Sequence, residues 1–137
     1  MITRAFFVLV LMFGISAAVF AENSMIANGV VVQANARDSA EFKRALILAS
    51  NMHEVLTKAE FEVLVYGTAV KYLSAFSDEQ PLIQKLQSEG IKIIACGRSL
   101  SAENLKERDL APAISVVPFG AVHIVNRQKQ GWQYIRS

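Results

Sequence analysis

Residues 86–97 of the chain are LQSEGIKIIACG, and this stretch decides the fold class. A helical stripe of apolar residues follows Pro81, which can start a helix without losing a needed donor. Gly90 ends that helix as a C-cap, because glycine adopts the left-handed conformation without strain. The apolar run 91–95 is short and continuous, which is typical of a buried strand in a parallel sheet. Cys96 stands where this strand ends.

The same alternation of helix and strand extends in both directions from this stretch. Further strands are predicted at 29–33, 61–66, 114–117 and 132–135, the last of them edge-like. Further helices are predicted from Asp38 to Leu56 with Glu41 at capping-box spacing, at 70–76, from an N-cap at Ser101 to 108, and at 121–130 before Gly131. We therefore predict an α/β fold. It is a single doubly wound domain, with a mostly parallel five-stranded sheet and helices on both faces.

The first 21 residues are typical of a secretory signal peptide rather than part of the domain. Arg4 is followed by the uncharged apolar run 5–20 and by a Val19-Phe20-Ala21 cleavage site. The alternative is an uncleaved anchor, although a membrane span needs about 20 apolar residues and this run is slightly short. We expect a signal peptide at 1–21, a domain at 22–137, and delivery to the periplasm with no membrane span left after cleavage.

The charge and the cysteine content of the chain argue against nucleic-acid binding and exclude a disulfide within the chain. The chain after Ala21 carries 13 basic and 12 acidic residues with no basic patch, which argues against nucleic acid as a partner. Cys96 is the single cysteine, so no disulfide can form within the chain. In an oxidising compartment such a cysteine is either buried and inert or a reactive thiol, and both alternatives stay open.

Chemistry in open α/β sheets collects at the carboxyl ends of the strands. The candidate site residues at two such ends are Cys96, supported by Gly97, Arg98, Tyr66 and Gly67. Gly97 leaves space beside the sulfur, Arg98 brings a positive charge, and a helix start at Ser101 adds amide donors. These features favour the thiolate, although free cysteines are among the most buried residue types. Tyr66 is either a site hydroxyl or the last core residue of its strand.

The remaining chemistry-bearing side chains point to structural roles. His53 and His123 lie on predicted helices, where we expect them to face solvent or a helix neighbour. Two histidines and one cysteine without ligand-like spacing do not form a zinc site, so we expect neither a metal nor a cofactor. Trp132 and Tyr134 are expected to serve in packing or subunit contact.

Three segments together resemble the DsrE/DsrF-like sulfur-relay family. They are FEVLVYG at 61–67, the helix–Gly–strand–Cys stretch at 86–97, and the run from Val116 to Ile135. The last contains a Val-Pro-x-Gly entry to the final helix and a Gly-aromatic-x-Tyr-Ile ending. The likeness covers residues 29–137.

This resemblance implies a flavodoxin-like domain that assembles as a trimer or hexamer. It also implies that Cys96 carries sulfur as a persulfide and passes it to a partner, because this position matches the family's sulfur-bearing cysteine. Two differences from the family pattern weaken the assignment of this role to Cys96. Tyr66 stands where many members have His, and Gly-Arg-Ser-Leu at 97–100 replaces the more usual Asn-Thr run. An exported protein would also not meet the partners of the cytoplasmic relay.

Two functions compete on this basis. The first is a sulfur carrier of the cell envelope, transferase-like rather than a turnover enzyme, which exchanges sulfur with a donor or acceptor protein through Cys96. The second is a non-catalytic oligomeric binding or assembly module in which Cys96 is buried and silent. A thiol–disulfide oxidoreductase is disfavoured because no second cysteine is present to resolve a mixed disulfide.

Overall fold

The computed structural model describes residues 28–137, which form one five-stranded sheet. The strands are β1 Gly29–Ala34, β2 Glu60–Val65, β3 Lys92–Cys96, β4 Ser115–Val117 and β5 Gln133–Arg136. Their spatial order is β4-β3-β2-β1-β5, and every neighbouring pair is parallel. The predicted α/β fold and its doubly wound sheet are confirmed, and β5 lies at an edge as its sequence indicates.

Four α-helices connect these strands. They are α1 Ser39–Val55, α2 Gln80–Ser88, α3 Gly97–Ala102 and α4 Gly120–Lys129, with 3₁₀ helices at Gly67–Leu73 and Glu107–Asp109. The segment predicted as a helix at 70–76 is thus a 3₁₀ helix that begins directly after β2. No helix within residues 28–137 is long and apolar enough to cross a membrane.

The two faces of the sheet are covered unequally. Alternate residues of β2, namely Phe61, Val63 and Val65, point into a large core shared with α1 and α2. The opposite face carries a smaller cluster in which Leu64 and its sheet neighbours pack against Ile124 of α4. Among the described residues, α4 is therefore the one helix over this second face. Its position determines which side chains pack against that face.

The start of α1 follows the predicted capping pattern with one difference. Asp38 is the N-cap, and its Oδ1 accepts a hydrogen bond from the backbone N–H of Glu41 at 2.8 Å. The Glu41 carboxylate reaches past the N-cap and accepts from the N–H of Arg37, also at 2.8 Å. Hydrogen bonds from the Arg37 side chain and backbone lower the pKa of Glu41 to about 2.

The prediction of a helix that begins at Ser101 is wrong. The helix α3 begins at Gly97, with Cys96 as its N-cap residue, and Ser101 lies in its last turn with its hydroxyl donating to the Gly97 carbonyl at 3.1 Å. The earlier start buries Leu100 in the main core, and this burial outweighs the preference of serine for N-cap positions. The chain therefore turns into a helix immediately after the cysteine.

Candidate functional site

Cys96 ends β3 with its side chain on the α4 face of the sheet. Its neighbours on that face are Ile94, two residues earlier on the same strand, and Leu64 of β2. The predicted location at the carboxyl end of a strand is right. Of the two alternatives left open for this cysteine, the structure shows burial, since the residue is only 1 % exposed, and its reactivity stays a prediction.

Hydrogen-bond donors from two helix starts surround the sulfur. The backbone N–H of Gly120, the first residue of α4, donates to Sγ at a distance of 3.3 Å. From the start of α3, the Ser99 hydroxyl and the backbone N–H groups of Ser99 and Arg98 lower the pKa of the thiol. A thiolate accepts such bonds far better than a neutral thiol, so the arrangement favours the anion.

The pKa of the Cys96 thiol reflects two opposing effects. Burial is the largest contribution and raises the pKa, because the charged form loses its hydration. The hydrogen bonds from Ser99, Gly120 and Arg98 together outweigh burial, so the pKa of Cys96 lies below its ordinary value. The sulfur is thus a buried group whose surroundings stabilise its ionised form.

Gly67 supports the site through Ser99. Its backbone N–H donates to the Ser99 hydroxyl oxygen at 2.9 Å, which leaves the hydroxyl proton free to point at the sulfur. Gly67 adopts a φ of +61°, and a Cβ there would lie 2.8 Å from the side-chain oxygen of Asn35. Only glycine meets both requirements at this position. The adjacent Tyr66 contributes its ring, which packs near Gly120.

The structure gives Gly97 and Arg98 roles other than those expected from sequence. A Cβ on Gly97 would lie 3.2 Å from the Val117 carbonyl oxygen and 3.4 Å from Pro118, so this glycine makes room for the loop after β4. The Arg98 N–H also donates to the Pro118 carbonyl at 3.2 Å, while the guanidinium lies over the Phe119 ring, 5.3 Å from its centroid. The arginine therefore acts on the sulfur through its backbone.

Sequence reasoning missed a charged cluster on the same face of the sheet. Glu62, in the middle of β2, is fully buried, and both of its carboxylate oxygens bind side chains of α4. The partners are His123, whose Nε2 lies 2.7 Å from Oε2, and Arg127. The signal was present in the sequence: a single acidic residue interrupts the apolar run 61–65.

The expectation that the two histidines face solvent or a helix neighbour is wrong, because both point toward β2. His53 of α1 packs edge-on against the Phe61 ring, with centroids 5.3 Å apart. His123 binds Glu62 from the opposite face. Both histidines lie on helices whose inner faces cover this central strand, and β2 offers an aromatic ring on one face and a carboxylate on the other.

The two aromatic residues near the end of the chain serve in packing within the domain. Trp132 is 7 % exposed, and its ring lies where a Cβ on Gly29 would stand, about 2.5 Å away. The Arg127 guanidinium also lies over this ring, 4.4 Å from its centroid. Tyr134 is partly exposed and donates its hydroxyl to the side chain of Gln33.

Fold and site together define a class: a doubly wound α/β domain whose lone cysteine lies among helix-start amides at the carboxyl edge of a parallel sheet. A family model described as the DsrE/DsrF-like family matches residues 25–136. The chain belongs to this family. No curated protein matches the chain significantly.

Solved structures show the same architecture. A protein of unknown function, MTH1491 from Methanobacterium thermoautotrophicum, is 32 % identical, with a TM-score of 0.68 over 79 % of this chain and 97 % of that one. The ychN protein from E. coli matches with a TM-score of 0.69 at 13 % identity, over 80 % of this chain and 98 % of its own. BT1422 from Bacteroides thetaiotaomicron matches with a TM-score of 0.63 at 19 % identity, over 84 % and 100 %. The last two support the fold alone.

Proposed function

We propose that the protein handles sulfane sulfur, which it holds as a persulfide on Cys96 and passes to an acceptor. The observation that carries this proposal is the hydrogen bond that the Gly120 N–H donates to the buried sulfur at 3.3 Å, at a place where polar groups of α3 also lower the pKa of the thiol despite its burial. A cysteine with a purely packing role has no need of such donors. Membership of the DsrE/DsrF-like family supports the same assignment.

The chemistry needs no outside oxidant. The Cys96 thiolate attacks the outer sulfur of a donor persulfide, R–S–SH. A new S–S bond forms to Cys96, the donor S–S bond breaks, and the donor leaves as the thiolate R–S⁻. An acceptor thiolate then attacks the outer sulfur of Cys96–S–SH, takes it as a persulfide, and returns Cys96 to its thiolate. The donors around Sγ stabilise this anion before loading and after transfer.

Access to the sulfur requires a local movement of the loop after β4. Two surface concavities lie on either side of this loop and share Pro118 as a wall, one beside Gly97 and the other beside Phe119 and Val122. The loop is held by the bond from the Arg98 N–H to the Pro118 carbonyl and by the contact of the Arg98 guanidinium with Phe119. Opening these contacts would expose Cys96 toward either concavity.

The test is mass spectrometry of native protein after exposure to a polysulfide. We expect the wild type to gain one or more sulfur atoms that a reductant removes, and Cys96→Ser to gain none. Transfer is then followed to a small acceptor thiol, whose persulfide should appear as the protein returns to its original mass. A wild type that takes up no sulfur when native, but does so when denatured, contradicts the proposal.

The competing function is a binding or assembly module with a silent cysteine, and the 1 % exposure of Cys96 favours it. In that case Cys96→Ser would leave every property except packing unchanged. A thiol reagent separates the two functions, because a sulfur carrier must open often enough for native Cys96 to be labelled within minutes. Labelling that occurs only on global unfolding supports the module.

We also propose that the protein is exported to the periplasm. The signal peptide predicted at 1–21 lies outside the described residues, so support comes from Arg4, the apolar run 5–20 and the cleavage site at Ala21. Expression with the native start and fractionation of the cells should yield a protein that begins at Glu22 in the periplasmic fraction. A protein that retains Met1 in the soluble cytoplasmic pool contradicts export.

We propose, finally, that the protein works as a homo-oligomer, a trimer or hexamer. The outer side of α4 supports this, because Phe119, Val122 and Val125 leave about half of their side-chain surface exposed at a spacing of three residues. These residues lie beside the loop that covers Cys96, so an oligomer formed here would border the site. A sulfur donor or acceptor protein would then approach from the remaining side.

A further inference from the structure

A buried carboxylate shares a face of the sheet with Cys96, and the sulfur exchange proposed above does not use it. Glu62 stands on β2 two residues before Leu64, whose side chain reaches the start of α4. The residue is fully buried. Burial of an isolated charge is very costly, so a carboxylate at this place must be paired with other polar groups. The role of Glu62 therefore depends on which groups bind it.

The groups that bind Glu62 come from α4. Its Oε2 lies 2.7 Å from His123 Nε2 and accepts a hydrogen bond from Arg127 Nε at 3.0 Å, while Oε1 pairs with Arg127 Nη2. His123 and Arg127 are four residues apart and therefore lie on one side of the helix. The Arg127 guanidinium also lies over the Trp132 ring. The carboxylate thus binds two consecutive turns of the same helix.

Stability alone does not account for this cluster. Apolar side chains of similar volume hold packed elements together at least as well as a buried ion pair. The cluster instead fixes the position of α4 relative to β2, because a bidentate carboxylate–guanidinium contact is satisfied in one relative placement of strand and helix. Apolar packing between the same elements would tolerate small slides and rotations of α4.

The placement of α4 matters at its first residue. Gly120 precedes His123 by three residues, so the two are about 4.5 Å apart along the helix axis. The N–H of Gly120 donates to Cys96 Sγ at 3.3 Å, and a Cβ on Gly120 would lie 3.2 Å from the Cβ of Cys96. A slide of α4 by a fraction of an ångström would lengthen this bond, whose strength depends steeply on geometry.

We infer, resting on the proposed function of Cys96, that Glu62 is a positioning residue for the sulfur: through His123 and Arg127 it holds α4 where the Gly120 N–H stabilises the thiolate. Glu62 does not contact the sulfur and takes no part in the exchange of S–S bonds. It acts through the backbone of α4.

The test compares the thiol pKa of the wild type and Glu62→Gln, read from the ultraviolet absorbance of the thiolate with Cys96→Ser as the blank. This measurement works on a buried thiol and does not depend on sulfur loading, so a failure of the proposed function leaves it interpretable. In Glu62→Gln we expect a higher thiol pKa and, below that pKa, about a tenfold smaller thiolate fraction. The Gly120 amide should also exchange its hydrogen faster.

A second variant covers the case in which Glu62→Gln does not fold. Glu62→Leu/His123→Leu/Arg127→Met replaces the whole cluster with apolar side chains, which keeps α4 packed but removes the directional contacts. We expect this folded variant to show the raised thiol pKa as well. A thiol pKa equal to that of the wild type in a folded variant of either kind overturns the inference.

The matched control is Glu79→Gln, because Glu79 is also a buried acid between two elements. It is 3 % exposed, accepts a hydrogen bond from the Ser39 hydroxyl, and lies 3.5 Å from Lys43 Nζ, between α1 and α2 on the other face of the sheet. We expect Glu79→Gln to lower the melting temperature without changing the thiol pKa. An equal change of pKa in Glu79→Gln would show general loosening of the fold and would also overturn the inference.

Discussion

At the scale of single residues, Ser99 connects two strand ends. Its hydroxyl accepts a hydrogen bond from the Gly67 N–H after β2, and the same hydroxyl lowers the pKa of Cys96 at the end of β3. A hydroxyl can do both at once, because it has one proton and two lone pairs. Ser101, two residues later, bonds only within its own helix. We therefore expect substitution of Ser99, and not of Ser101, to change the pKa of the Cys96 thiol.

Ser99→Ala should raise the thiol pKa of Cys96 and reduce its thiolate fraction below that pKa by about tenfold, since one hydrogen bond to the anion is lost. The Gly67 N–H also loses its partner, which should lower the free energy of unfolding by about 1–3 kcal/mol. Ser101→Ala is the matched control on the same helix and should leave the thiol pKa unchanged. Arg98→Ala should also change it little, because the backbone N–H remains. Alkylation rates across a pH series give the thiol pKa of the wild type and of the three variants.

The lowered pKa of Cys96 predicts a pH-dependent stability. In the unfolded chain the thiol has its ordinary pKa of about 8.5, and in the folded chain the pKa is lower. The stabilising contribution is therefore fully present above the unfolded value and is lost as pH falls through the folded value. Denaturant unfolding under reducing conditions should show the wild type gaining stability relative to Cys96→Ser as pH rises through this window. A constant difference between the two proteins would mean that the folded pKa is not lowered.

At the scale of elements, α4 decides the environment of the sulfur. It packs on the second face of the sheet through Ile124, binds Glu62, and presents its first amide to Cys96. Gly120 permits this close approach, because a Cβ there would lie 3.1 Å from the Tyr66 ring, 3.2 Å from Cys96 Cβ and 3.3 Å from the Leu64 side chain. A larger residue must displace these neighbours or the first turn of the helix.

Gly120→Ala should therefore raise the thiol pKa of Cys96 as the Gly120 N–H moves away from the sulfur. Overpacking should also lower the free energy of unfolding by about 1–3 kcal/mol, despite the better helix propensity of alanine. The control is Ala121→Gly in the same turn, where the side chain is exposed; this change should cost up to about 1 kcal/mol and leave the thiol pKa unchanged. A thiol pKa in Gly120→Ala equal to that of the wild type would contradict the claim that the start of α4 stabilises the thiolate.

At the scale of the whole molecule, apolar side chains are exposed on both sides of the sheet. On the α1 side these include Val55 at the end of the helix, and on the α4 side Phe119 and Val122 lie next to the loop after β4. Small α/β domains fold as monomers, so stability does not require assembly. The outer face of α4 is instead available for a second copy of the chain.

Val122→Lys/Val125→Lys should convert a homo-oligomer into monomers, because two cations would be buried in the proposed interface without partners. Light scattering at micromolar concentration measures the mass. Val55→Lys is the control, since Val55 is an apolar residue 79 % exposed at the end of α1, away from α4. A wild type of monomer mass contradicts the proposed assembly, and a lysine variant that keeps its oligomer mass contradicts the proposed interface.

The class of fold and the place of the cysteine follow from sequence patterns alone. Apolar runs bounded by Gly67 and Gly90, with a stripe of period 3.6 after Asp38, predict the strands and helices closely, since periodicity reports burial directly. The alternation of elements then requires a parallel sheet, and a parallel sheet places Cys96 at its carboxyl edge.

The surroundings of the sulfur depend on contacts between residues that are far apart in the chain. Gly120 is 24 residues from Cys96 along the chain, and Glu62 is 61 residues from His123, so no local pattern connects either pair. The start of α3 at Gly97 was likewise set by the burial of Leu100 and not by the cap preference of Ser101. Local propensities amount to about 1 kcal/mol, whereas burial of one large apolar side chain contributes about 1.5–3 kcal/mol, so packing fixes the details that sequence patterns leave open.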